Sequence, residues 1–378
     1  MKKVLFVATV VKGHIDVFHI PFLEEFKKNG WEVHVAAKNN YDNAEECVIP
    51  FCDKFFDIPF ERSPLGKNNI SSYQLLKGII QEGNYEIIHC HTPVGGALTR
   101  LVAKNLKSLS SKIIYTAHGF HFFKGAPLKN WLIFYPIEKY LSKYTDTLIT
   151  INQEDYDIAK KKFYCHDVKL VPGVGVAGSK FYELSDEKKQ EIFKLNNLDR
   201  DKFYLIYIAE LSNRKNQMFL LEAMKKLKVI DSSIVLLLVG MGDNYELYKK
   251  FIKRERLESN VKLLGYRKDI NNLINISDIV VSSSKQEGLP VNLIEGMTVG
   301  KPLVVSDVRG NRDLVINNEN GFTYRLSEQK EFLNYILFLR SDKEKYRKFQ
   351  CESQSLATNY NLNHIMCDMR GIYFKPRS

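Results

Sequence analysis

No apolar run in this chain approaches the roughly 20 residues that a membrane-spanning helix needs; hydrophobic stretches such as 234–239 are strand-sized. A transmembrane anchor is therefore not expected, and the chain reads as soluble or peripheral. The six cysteines, Cys47, Cys52, Cys90, Cys165, Cys351 and Cys367, include no C-x-x-C pair and no spacing that builds a zinc ribbon or a disulfide framework. A reducing cytoplasm fits that usage. Zinc-finger, RNA-recognition and basic-zipper signatures are missing too, so nucleic acid is not the expected partner, although 55 Lys and Arg against 44 Asp and Glu leave a formal charge of +11. Runs such as Lys160-Lys161-Lys162 read as solvated helix faces, and the excess positive charge suits a phosphorylated substrate or a membrane surface. No low-complexity linker interrupts the sequence.

What is present is an alternation. With 378 residues, 44% of them hydrophobic, the chain can bury two domain-sized cores. Residues 4–11 form an apolar stretch that lacks a small-residue cleavage site, so it reads as a buried strand rather than a leader. Lys12-Gly13-His14 then turns into a helix carrying Ile15, Phe18, Phe22, Leu23 and Phe26 at helical spacing, closed by Asn29-Gly30 before a strand at 31–35. This is a Rossmann-like opening, but its turn offers one glycine where the dinucleotide fingerprint needs three. Further strands are expected at 86–90, 112–116 and 147–151, with helices between them.

Three histidines stand at these strand ends: His89, His91 and His118. Neither an H-E-x-x-H helix nor an acidic ligand cluster accompanies them, so no metal is expected. His89 reads as structural. Between His118 and Trp131 lies a loop with Phe120, Phe122, Phe123, Lys124 and Lys129, broken by Gly125 and Pro127. Exposed, it suits a membrane surface or a lipid-bearing substrate; folded inward, its phenylalanines belong to the core.

A second alternating series follows, which puts the domain boundary near 173–200. Strands at 203–208, 234–239, 261–264 and 302–305 run into Ala209 to Asn216, the turn Gly240-Met241-Gly242-Asp243, and Gly265-Tyr266-Arg267. The strand at 278–284 leads to Glu287-Gly288-Leu289-Pro290-Val291 and a helix bearing Glu295. Two carboxylates thus straddle a strand-to-helix turn, where Pro290 leaves backbone N–H groups free for an anion and ionised carboxylates suit sugar hydroxyls. Arg214 and Lys215, just after a strand, are placed to neutralise a diphosphate.

The order of these segments resembles the family 4 glycosyltransferases, retaining enzymes of the GT-B fold, and more closely their bacterial capsule and exopolysaccharide members. Glu287-x7-Glu295 is similar to the family's E-x7-E motif, and Ala209 to Asn216 stands where the family has G-R-L-x-x-x-K-G. Thr116-Ala117-His118-Gly119 matches its N-domain histidine, and Gly13 the glycine of its first turn. The resemblance implies two Rossmann-like domains with parallel sheets facing a central cleft, covering 1–175 on the acceptor side and 176–360 on the nucleotide-sugar side, with 361–378 returning as a helix to the first. It implies that Glu287 contacts the donor sugar, Glu295 the ribose, and Lys215 with Arg214 the diphosphate. His118 is implied beside the donor sugar and Gly13 at the diphosphate. Gly240, Gly242, Tyr266, Arg267, Gly288, Leu289, Pro290 and Val291 are implied in donor binding. One departure stands out: Ala209-Glu210 replaces Gly-Arg, so the family's phosphate-binding arginine is missing there.

The function so implied is metal-independent hexosyl transfer without a cofactor. The sugar passes from a nucleotide diphosphate, expected to be UDP, to a lipid-linked saccharide at the cytoplasmic face of the cell membrane. A UDP-sugar 2-epimerase of the same architecture and a non-catalytic sugar-nucleotide or polyanion binder are the alternatives.

Overall fold

The computed structural model describes residues 1–106 and 109–374, in two compact units: Met1–Val174 with Ile365–Ser378, and Gly175–His364. In the first unit, β1 (Lys3–Val10), β2 (Glu32–Lys38), β3 (Lys54–Asp57), β4 (Ile87–His91), β5 (Lys112–Ala117), β6 (Thr147–Thr150) and β7 (Asp167–Leu170) alternate with helices. These are α1 (Ile20–Lys28), α2 (Asn68–Gly83), α3 (Pro93–Asn105), α4 (Leu128–Leu141) and α5 (Gln153–Lys162). All strand pairs are parallel, in the order β3-β2-β1-β4-β5-β6-β7. Helices cover such a sheet on both faces, which is why Val4 to Ala8 are buried without alternation.

The second unit begins with α6 (Asp186–Leu195), whose Ser185 cap accepts from Lys188 N. It continues through β8 (Phe203–Ile208), α7 (Gln217–Ile230), β9 (Ile234–Val239), α8 (Tyr245–Arg254), β10 (Val261–Gly265), α9 (Ile270–Asn275), β11 (Ile279–Ser282) and α10 (Val291–Thr298). It closes with β12 (Leu303–Ser306), α11 (Asn311–Leu314), β13 (Gly321–Tyr324), α12 (Gln329–Ser341) and α13 (Lys343–Ala357). Its parallel sheet has the order β10-β9-β8-β11-β12-β13.

Each sheet reverses its strand order once, between β1 and β4 in the first unit and between β8 and β11 in the second. Open parallel sheets bind ligands beyond the carboxyl ends of the strands at such a reversal. The last helix, α14 (Leu362–Tyr373), carries the chain back to the first unit. There Arg370 forks onto Glu25 at 2.8 Å through both Nε and a terminal nitrogen. Tyr373 Oη lies 2.8 Å from His89 Nδ1, and its ring packs 4.7 Å from Phe26. Residues 375–378 of the expected C-terminal segment lie outside the described residues.

Three strands are absent from the sequence reading: β3, β7 and β13. All are four-residue elements, KFFD, DVKL and GFTY, at the outer edge of a sheet, too short to show a period. The segment after His118 takes the inward of its two readings: Phe120 and Phe122 are buried, stacked at 4.7 Å in the core of the first unit. The helix that follows is corrected, since α4 starts at Leu128 rather than near Trp131.

Candidate active site

The loops after β8 and β11 are tied together at the reversal point of the second sheet. Ser283 Oγ donates to the carbonyls of Lys215 (3.1 Å) and Asn216 (2.9 Å), and Lys285 N donates to the Arg214 carbonyl at 2.9 Å. Arg214 reaches back from the other side, donating to the Gln286 carbonyl at 3.3 Å. Asn216 accepts a left-handed backbone (φ 55°) to bring the loop into α7, a conformation that asparagine tolerates better than most residues.

This frame puts Lys215 Nζ 2.5 Å from Glu287 Oε1, with the two side chains 14% and 7% exposed. Ser284 Oγ donates to the same carboxylate oxygen at 2.5 Å, and the Arg214 guanidinium stands 3.6 Å from the other. Tyr207 supports the pair from below: its hydroxyl lies 2.7 Å from Ser284 Oγ and 3.2 Å from the Lys215 carbonyl. Buried Arg309 donates through Nε to the Glu287 carbonyl at 3.1 Å. Lys215 and Glu287 therefore hold each other in place, and an arriving anion has a fixed cation to meet.

Glu295 behaves differently. It sits on α10, and burial alone pushes its carboxyl up to about 8; among the described residues no hydrogen bond or ion pair reaches that carboxyl. That upward shift sets Glu295 apart from Glu287, which has a cation beside it. Without a donor or cation beside Glu295, nothing offsets the loss of water around the charged form.

The Gly240-Met241-Gly242 turn runs alongside Ala209 to Leu211, joined by Ala209 N to Val239 O (2.9 Å) and Leu211 N to Met241 O (3.0 Å). A Cβ at Gly242 would lie 2.5 Å from the Leu211 carbonyl oxygen, and one at Gly240 would press into that of Ala209. These glycines permit close backbone approach. Glu210, in the arginine position of the resembled motif, is exposed. Tyr266 is 74% exposed, whereas Arg267 is engaged with Asp269 (2.7 and 2.6 Å) and Asn196 (3.0 Å). Leu289 and Pro290 are buried under the turn, and Gly288 and Val291 are half-buried at its surface.

In the first unit, Gly13 has φ 84° with open space where a side chain would stand, so its backbone conformation, not crowding, calls for glycine. His89 is buried with both ring nitrogens bonded, to Tyr373 Oη and Thr116 Oγ1 at 2.8 Å each, which is a structural role. His118 Nε2 lies 3.4 Å from His91 Nδ1, and burial lowers its pKa to about 4. His14 and His19 join these two. That cluster was not legible from motif spacing, because its members come from three loops. Ser284, Tyr207 and Arg309 were missed as well; only Ser284 carried a signal, as a polar residue ending a buried strand.

Two family models match the chain: "Glycosyl transferase 4-like" over residues 3–152 and "Glycosyl transferases group 1" over 188–355. The chain is 39% identical to "Putative glycosyltransferase EpsD" of Bacillus subtilis, across 98% of this chain and 96% of the relative. It is 30% identical to the UDP-Gal:alpha-D-GlcNAc-diphosphoundecaprenol alpha-1,3-galactosyltransferase of Escherichia coli, across 73% and 71%. Anabaena Alr3699/HepE, solved in complex with UDP, superposes with a TM-score of 0.79 over 98% of this chain and 99% of that one, at 18% identity. Near-complete coverage by a relative at this identity, over two parallel-sheet units of matching fold, shows that the chain belongs to the family 4 glycosyltransferases and has the GT-B fold.

Proposed function

We propose that this glycosyltransferase is a retaining hexosyltransferase that passes a sugar from a UDP-sugar to a lipid-linked saccharide in capsule or exopolysaccharide biosynthesis. It needs no cofactor and works from the cytoplasm at the inner face of the bacterial membrane. The observation that carries the reading is the Lys215–Glu287 pair clamped between the two loops at the reversal of the second sheet. Lys215, with Arg214 beside it, neutralises the departing diphosphate, and its fixed position costs no reorganisation as negative charge develops. Glu287 accepts from the donor sugar's hydroxyls and Glu295 from the ribose. The names of two Escherichia coli relatives, a diphosphoundecaprenol-directed galactosyltransferase and an O-antigen biosynthesis glycosyltransferase, support a lipid-linked acceptor and a surface-polysaccharide setting. The test is incubation of purified protein with a panel of UDP-sugars and undecaprenyl-diphosphate-linked saccharides, with the product anomer read by NMR. A new glycosidic bond of retained configuration is expected. An epimerised sugar from donor alone, or donor binding without turnover, sinks the reading.

Glu295 makes donor binding depend on pH. If ribose hydroxyls donate to its carboxylate, binding favours the ionised form, so affinity for a UDP-sugar rises as pH climbs from about 6.5 through the pKa of about 8. Below that pKa, binding releases a proton. Calorimetry in buffers of different ionisation enthalpy reads this release, which should vanish in Glu295→Gln; a flat pH profile in the unsubstituted protein removes Glu295 from the ribose.

Membrane contact is assigned to α4 rather than to the preceding phenylalanines. This helix has apolar residues on two sides: Trp131, Phe134 and Tyr135 pack on the core, while Leu128 (73% exposed), Leu132 (68%), Ile133, Ile137 and Tyr140 face solvent. Lys124, Lys129 and Lys143 rim that face, matching an anionic lipid surface. No helix among the described residues is long and apolar enough to cross a membrane. Leu132→Glu and Ile133→Glu should each weaken binding to anionic liposomes by about tenfold or more, the loss of one buried aliphatic side chain. Unchanged co-sedimentation would count against the assignment.

A further inference from the structure

We propose that His14, His19, His91 and His118 form a binding site for a divalent first-row transition metal, with zinc as the test ion. Their origin in the sheet is the first argument. His14 and His19 follow β1, His91 ends β4 and His118 follows β5, and these three strands are neighbours. Their carboxyl ends meet at the reversal of the first sheet, so four imidazoles from three separate loops are gathered at one edge.

The second argument is spacing. Each ring offers one nitrogen, and the four nitrogens lie within 4.8 Å of one another. His14 Nε2 and His19 Nε2 are 3.2 Å apart, and His118 Nε2 and His91 Nδ1 are 3.4 Å apart. Nitrogens bound at about 2.0–2.1 Å around a tetrahedral zinc stand about 3.3–3.4 Å from each other. The two closest pairs already sit at that separation, and modest ring shifts bring in the rest.

Among the described residues, the nitrogens of the two close pairs meet only one another: His19 Nε2 faces His14 Nε2, and His91 Nδ1 faces His118 Nε2. Coordination turns the crowding to use, since it draws on the lone pairs of ring nitrogens that otherwise face one another. His89, although only 4.0 Å from His91 between ring centroids, is excluded because both of its nitrogens are already bonded.

The donor set chooses the ion. Four imidazoles without a carboxylate suit zinc, copper, nickel or cobalt and disfavour magnesium and calcium, which prefer oxygen. The ion would pin the first turn and the ends of β4 and β5 together. This role is separate from neutralising the diphosphate, which rests on Lys215 and Arg214.

Tag-free protein stripped with a chelator and titrated with zinc chloride tests the site, with bound metal counted by mass spectrometry. One saturable zinc per chain is expected, undisturbed by millimolar magnesium. His19→Ala and His91→Ala should each weaken it on the order of 100-fold or more, beyond the effect of losing an outer-shell partner. His14→Ala, on a half-buried ring in the turn, should act in the same direction and replaces the buried variants if circular dichroism shows them unfolded. Exposed His166→Ala is the control and should leave binding unchanged. Absence of saturable uptake, or wild-type stoichiometry and affinity in both His14→Ala and His19→Ala, overturns the proposal. The readout is metal content, so it stands or falls independently of donor and acceptor.

Discussion

Lys215→Ala is expected to lower turnover by roughly 10²–10³-fold, the usual loss when one preorganised group facing developing transition-state charge is removed. Its ammonium is held 2.5 Å from Glu287 and is only 14% exposed, so water does not fill its place well. The substitution also strands the Glu287 carboxylate, which keeps Ser284 Oγ and a more distant Arg214 guanidinium as its remaining neighbours. Removing one partner of a buried pair costs about 3–5 kcal/mol, whereas replacing both with neutral groups is often close to neutral. Lys215→Met combined with Glu287→Gln should therefore recover most of the lost thermal stability and none of the turnover. Initial rates at saturating acceptor, taken well below the melting temperature, separate the two effects. A wild-type rate in Lys215→Ala removes the residue from the reaction.

The largest stability effect is expected at Glu138. Arg100 is 1% exposed, with Nε bonded to the Gly96 carbonyl at 2.9 Å and its guanidinium 3.9 Å over the Tyr115 ring. Its counter-charge comes from Glu138 on α4 at 2.8 Å, and Tyr115 Oη donates to the same carboxylate at 3.3 Å. Glu138→Ala leaves an uncompensated cation in the core and should cost about 3–5 kcal/mol in urea unfolding. Arg100→Met with Glu138→Leu should recover most of that loss. Because the pair anchors the helix that bears the exposed apolar face, Glu138→Ala should also weaken liposome binding. A loss below about 1 kcal/mol would place Arg100 in a wetter setting than its burial indicates.

The outcome at the two carboxylates shows what spacing can and cannot carry. A strand ending in Ser282-Ser283-Ser284, then glycine and proline before an apolar helix, placed Glu287 and Glu295 on either side of one turn. It did not separate their surroundings. Glu287 meets Lys215, which lies 72 residues away, while among the described residues no donor reaches Glu295, and burial pushes its carboxyl up to about 8. The aromatic loop shows the same division. Three phenylalanines and two lysines fitted a surface or a core equally well, and the packing of Phe122 against Trp131 and Tyr135 chose the core, leaving α4 to carry the exposed apolar face.

Local chemistry by itself determined the alternation of apolar strands and amphipathic helices, the positions of the turns and the two-series organisation. Each of these depends on residues within a few positions of one another. Tertiary structure alone decided which distant loops share a sheet edge. Strand order, not sequence proximity, brings Lys215 to Glu287 and gathers four histidines at the reversal of the first sheet. Charge state followed the same rule, because a carboxyl or imidazole titrates according to the water and charge left around it once the chain has folded.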